Sequence, residues 1–143
     1  MESPNFSDKI AAVKARFKHC QGPEEVYQQI IAFGRESPHF PEESKITINL
    51  VNGCQSQVYV QTEYRDGKVH FKANSDALIS AGLAALLVAV YSGENPITIL
   101  QNEPIYLQEL GIFTSLTPNR ANGLASIYFH MKKAAVPYLT LKN

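Results

Sequence analysis

The chain is 143 residues long and 45% hydrophobic, the size of one ordinary domain able to bury a core without staples. Thirteen basic and thirteen acidic side chains cancel, which argues against a nucleic-acid binder, whose phosphate contacts need a basic patch. Two cysteines make no disulfide framework, and the longest apolar run, Ala77 to Tyr91, is shorter than the roughly 20 residues of a membrane span, so a reduced, cytoplasmic, non-membrane protein is expected.

The first residues, Met1-Glu2-Ser3-Pro4-Asn5, are polar and lack the basic and apolar regions of a secretory leader. Ser7 is positioned to cap a first helix, with Ile10, Val13 and Phe17 at helical spacing, and His19 to Gly22 break it. A second helix opens on Pro23, carries Glu24 and Glu25 in its first turn, and presents Val26, Tyr27, Ile30 and Ile31 as its apolar stripe. Gly34 is placed to close it, and Arg35 to Ser44, with Pro38 and Pro41, reads as a surface connection.

Three strands are predicted next. Ile46, Ile48 and Leu50 alternate with Thr47, Asn49 and Val51; Val58, Val60, Thr62 and Tyr64 with Gln57, Tyr59, Gln61 and Glu63; and Val69, Phe71 and Ala73 with Lys68, His70 and Lys72. Asp66-Gly67 between the second and third is a hairpin signal. One-sided alternation predicts an antiparallel sheet with one covered face. Ser75 then caps a helix whose positive end suits Asp76; it is apolar nearly all round and is stopped by Gly93, so it should be central. Asn95-Pro96 and Glu103-Pro104 open short helices, and Gly111 closes the second. Thr117-Pro118 opens the last helix, with the stripe Leu124, Ile127, Tyr128, Met131, Ala134 and Ala135, and Pro137 limits its continuation. The order predicts a single α+β domain over 1–143, in two layers: a three-stranded antiparallel sheet covered on one face by helices.

The stretch from Leu50 to Val60 carries the chemistry. It reads strand, tight turn, strand, with Cys54 at the tip. Asn52-Gly53 supplies the positive-φ positions of a sharp turn, and Gln55, Ser56 and Gln57 keep the loop polar. An unperturbed thiol is only about 3% thiolate at pH 7, enough to react with an activated sulfur delivered to it. The alternative is a buried, inert cysteine; the polar loop favours the first reading. Cys20, beside His19, reads as a small apolar residue at a helix end. No CxxC or HxxxH spacing points to zinc or an iron–sulfur cluster. A cysteine hydrolase would need an aligned histidine, and His70 on the neighbouring strand is the candidate, while His39 and His130 read as surface groups. Arg120 lies on the inward stripe of the last helix, either as a packed or ion-paired side chain or as a cation near the cysteine loop.

Gly53-Cys54-Gln55-Ser56-Gln57-Val58, Ser75-Asp76-Ala77, Gly82-Leu83, Leu116-Thr117-Pro118-Asn119-Arg120 and Gly123-Leu124, in this order and spacing, resemble the SufE family from the first helix to about Ala135. Tyr59 stands where that family often has tryptophan, and Ala81 where lysine is frequent. The resemblance implies the α+β fold shared with IscU-type scaffolds. It also implies a sulfur acceptor of iron–sulfur cluster assembly, an accessory protein rather than an enzyme. Such a protein takes sulfur as a persulfide, here on Cys54, from a cysteine desulfurase of the SufS or CsdA kind, stimulates that desulfurase, and passes sulfur to a SufBCD-type scaffold. The pyridoxal phosphate belongs to the desulfurase, and the carrier itself needs no cofactor or metal. Family pattern places Arg120 near the cysteine or the partner surface. The competing readings are a cluster scaffold on the same fold, a cysteine hydrolase, and an interaction module with an incidental cysteine.

Overall fold

A computed structural model describes residues 4–141. Of the polar first residues, Met1 to Ser3 lie outside the described residues, as do Lys142 and Asn143 at the other end. Two helices lead, α1 (Phe6–Phe17) and α2 (Pro23–Arg35). A hairpin follows, β1 (Val58–Arg65) and β2 (Lys68–Ser75), then α3 (Leu78–Tyr91), the short α4 (Pro96–Gln101) and α5 (Ile105–Glu109), and α6 (Pro118–Ala135).

Local signals account for most boundaries. Asn5, not Ser7, caps α1: its side chain accepts from the Asp8 amide at 2.8 Å, and Asp8 accepts in return from the Asn5 amide. Ser7 falls inside the first turn, because the reciprocal box satisfies two of the helix's open amides where a lone serine satisfies one. Pro23 opens α2, Asn95 caps α4 and Thr117 caps α6, as the sequence predicts. Asp66 (φ +55°) and Gly67 (φ +78°) make the left-handed turn that joins β1 to β2.

α3 is central. It is buried nearly all round and packs against α1, α2, α6 and both strands. Gly34 does not end α2, which runs on to Arg35. A side chain on Gly34 would stand 2.8 Å from the Gly82 amide, and one on Gly82 only 2.1 Å from the Ile30 carbonyl oxygen. The two glycines let the α2 and α3 backbones touch. Ser75 does not cap α3 either: it ends β2, and its hydroxyl accepts from Ala77. Val58, Val60, Val69 and Phe71 are fully buried on one face of the hairpin, beneath α3 and α6.

The sheet has two strands among the described residues, not the predicted three. Thr47–Asn49 forms a 3-10 turn, and only Leu50 bridges to Tyr59. The apolar alternation is misleading here, because Ile46 and Ile48 are 50% and 78% exposed. Local bonds win over the ladder: Asn49 donates from its backbone to Ile46 and from its side chain to the Ser44 carbonyl. Among the described residues no helix is long and apolar enough to cross a membrane.

Candidate functional site

The loop from Val51 to Val58 is pinned at its base. The Val51 amide donates to the Val58 carbonyl at 2.8 Å, and the Gln57 amide to the Asp76 carboxylate at 3.1 Å. Asp76 therefore serves the loop and not the dipole of α3. Between these anchors the chain folds down onto α6. Gly53 takes φ +92°, while Asn52, expected to share that conformation, does not. A β-carbon on Gly53 would lie 2.5 Å from the Ser126 hydroxyl and 3.3 Å from the Ser126 β-carbon, so any other residue here requires the serine to give way.

The turn aims Cys54 inward. Its thiol is half-buried and donates to the Gly123 carbonyl at 3.7 Å, a bond spanning 69 positions of sequence. Gly123 faces the sulfur without a side chain, and a β-carbon there would already be in contact at 3.7 Å. Around the sulfur is a cavity of about 70 Å³. Leu83, Gly123 and Ile127 supply its apolar part, and Ser56, Ser80, Asn119 and Arg120 its polar part. Burial pushes the Cys54 thiol up from its ordinary value. A carbonyl partner strengthens that preference, since it accepts from S–H and repels a thiolate. The resting group is a protonated, shielded thiol.

Arg120 is in the first turn of α6, with its guanidinium 5.7 Å from the centre of the Tyr27 ring. No carboxylate lies within ion-pair distance of it among the described residues, and its side chain lines the Cys54 cavity. Of the sequence readings, the ion-paired form is not seen among the described residues, while the side chain both packs over Tyr27 and lines the cavity. Gln55 and Ser56 line the same cavity, whereas Asn52 faces a separate cleft with His130. Cys20 lies elsewhere, its thiol pushed up by burial and by the charge of Glu25, and both cysteines are free. His70 sits opposite Glu63 in the hairpin. No histidine lines the Cys54 cavity, and the sulfur's partner is a carbonyl, which cannot take its proton. The base required by a cysteine hydrolase is therefore not in place.

Sequence reasoning left Gly123 and Ser80 without roles and gave Asp76 the positive end of the following helix, not the loop contact it makes. Gly123 had a usable signal: glycine inside a helix costs about 1 kcal/mol against alanine, so its presence implies a close approach. Ser80 had none, and the signal at Asp76 pointed to the helix end, because both roles depend on what folds against them.

Residues 11–135 match the family described as SufE, Fe-S metabolism associated domain. The chain belongs to the SufE family. It is 35% identical over 138 residues to an uncharacterized SufE-like protein of Synechocystis, covering 96% of this chain and 87% of that one. It is 33% identical to the cysteine desulfuration protein SufE of Wigglesworthia glossinidia brevipalpis, covering 91% of each. It is 31% identical to the sulfur acceptor protein CsdE of Escherichia coli, over 73% of this chain and 72% of that one. The SufE-family fold recurs in the solution structure of a hypothetical protein from Thermus thermophilus, with a TM-score of 0.76 at 22% identity, covering 93% of this chain and 97% of that one.

Proposed function

We propose that this SufE-family chain is a sulfur carrier that accepts sulfane sulfur as a persulfide on Cys54. The observation that carries the reading is the placement of Cys54: a thiol at the tip of a glycine-hinged loop, turned into a cavity of about 70 Å³. A water-sized guest needs roughly 10–15 Å³, and a small-molecule ligand roughly 300 Å³ or more. The cavity suits an extra atom and is too small for a substrate molecule. The names of the relatives in Wigglesworthia and Escherichia coli, cysteine desulfuration protein and sulfur acceptor protein, support the same chemistry.

The donor is a PLP-dependent cysteine desulfurase of the SufS or CsdA kind, whose activity the carrier stimulates. Its persulfide, R–S–SH, is attacked at the outer sulfur by the Cys54 thiolate. The old S–S bond breaks, a new one forms on Cys54, and the donor leaves as R–S⁻, which takes up the proton that Cys54 gave. The exchange needs no added oxidant or reductant. The resting loop shields the sulfur and must lift away from α6 for attack; Gly53 supplies the hinge. The loaded carrier then docks on a SufBCD-type scaffold in the cytoplasm. Pyridoxal phosphate works on the desulfurase, and the carrier requires no cofactor of its own.

A scaffold role has less support. A cluster wants about four ligands, and no three of histidine, cysteine, aspartate and glutamate converge among the described residues. The test is to incubate the protein with desulfurase, cysteine and PLP and seek one extra sulfur on the Cys54 peptide by mass spectrometry. Cys54→Ser abolishes labelling and stimulation, and Cys20→Ser retains both. Sulfur found only on Cys20 overturns the reading. Unchanged hydrogen exchange at residues 52–56 on adding the desulfurase overturns the lifting loop.

A further inference from the structure

Loading changes what the cavity has to hold. The resting thiol donates its S–H to Gly123. After transfer the inner sulfur has no proton, and that bond is gone. The outer sulfur is the more acidic, because the adjacent sulfur withdraws electron density and the charge is polarisable. The loaded group is therefore an anion that needs donors, and the Gly123 carbonyl is not one. The polar residues lining the cavity are Gln55, Ser56, Ser80, Asn119 and Arg120. Gln55 and Ser56 travel with the loop, and Asn119 is exposed at the start of α6. Arg120 supplies charge but rests over Tyr27. Ser80 differs from all of these. It is half-buried on the first turn of α3, the most deeply buried helix. Its hydroxyl has no hydrogen-bond partner among the described residues.

Resting on the carrier reading above, we infer that Ser80 is a positioning residue, the fixed hydroxyl that donates to the outer sulfur of the Cys54 persulfide while the loop is closed. The device works in one direction. With a thiol in place, Gly123 accepts and Ser80 is idle; with a perthiolate in place, Gly123 is idle and Ser80 donates. The same closed loop thus holds a neutral sulfur before loading and an anionic one after it, without a rearrangement of α3 or α6.

The test uses the isosteric pair Ser80→Thr and Ser80→Val, which differ only in the hydroxyl, with Ser80→Ala as a second deletion that adds no bulk. Each protein, in a Cys20→Ser background, is loaded by desulfurase and cysteine, and loading is confirmed by intact mass. Alkylation of the loaded and the unloaded sulfur by iodoacetamide is then followed against pH. Losing a hydrogen bond to a charged group is expected to raise the persulfide midpoint in Ser80→Val and Ser80→Ala by about one pH unit, roughly tenfold less anion at a fixed pH below it. Ser80→Thr keeps the wild-type midpoint, and the unloaded thiol titrates alike in all of them. Equal persulfide midpoints across the set, or a shift of loaded and unloaded sulfur together, overturn the role of Ser80 and leave the carrier reading standing. Failure of Cys54 in the unsubstituted chain to load overturns the carrier reading itself.

Discussion

Replacing Gly53 by alanine tests whether the loop is held down on α6 or merely rests there. Gly53 has φ +92°, in the half of backbone space that costs an L-residue about 1–2 kcal/mol. The new β-carbon would stand 2.5 Å from Ser126 Oγ and 3.3 Å from Ser126 Cβ. The hydroxyl can rotate away, but the β-carbon contact remains tight. Both penalties fall on the docked loop alone, since a released loop returns to negative φ. Against them, alanine restricts the released loop, which favours the docked form by about 0.4–1 kcal/mol. The balance is about 1 kcal/mol against docking, which multiplies the released population about fivefold.

The assay is the rate of Cys54 alkylation by iodoacetamide at pH 7, in a Cys20→Ser background. A released thiol is accessible and also loses the burial that pushes it up. The expected result is alkylation about fivefold faster in Gly53→Ala than in its parent. Adding Ser126→Ala, which removes the 2.5 Å contact but neither the 3.3 Å contact nor the positive φ, recovers part of the difference. A rate equal to or below the parent's, in a variant with an unchanged melting temperature, refutes the argument that docking depends on this glycine.

Burial raises the Cys54 thiol above its value in a released loop, so its contribution to docking is complete below the ordinary thiol range near 8.5 and is lost as pH rises through the raised value. The ratio of amide exchange in residues 52–57 to that in β1 should climb above about pH 8.5 in the natural chain and stay flat in Cys54→Ser; parallel profiles would remove the thiol from the account. Gly82→Ala places a β-carbon 2.1 Å from a backbone oxygen of α2, an overpacking of about 3 kcal/mol that exceeds the gain of about 1 kcal/mol in helix propensity. Urea unfolding should show a net loss of about 2 kcal/mol, and an unchanged midpoint would show that the two helices part without strain.

What the sequence determined by itself is local. Caps, prolines and the Asp66-Gly67 turn announced the helices and the hairpin because each acts within a few residues of itself. The Leu50–Val60 stretch likewise announced a thiol on a tight turn. Where local signals competed, reading failed: Asn5 with Asp8 outbid Ser7, and the hydrogen bonds of Asn49 turned an apparent strand into a 3-10 turn. Tertiary structure alone decided the rest. The alternation at Ile46 and Ile48 reports side-chain type, and nothing in it says that neither is covered. Gly34 and Gly82 look like a helix end and a helix weakness until the two helices are seen to cross at them. The state of Cys54 is the clearest case. Its neighbours in sequence are polar and leave open whether it is exposed or turned back into a pocket. Its partner is Gly123, 69 positions away, and its cavity is walled by α3 and α6. Desolvation is set by what packs against a group from across the chain, so the protonated, shielded sulfur exists only in the folded protein.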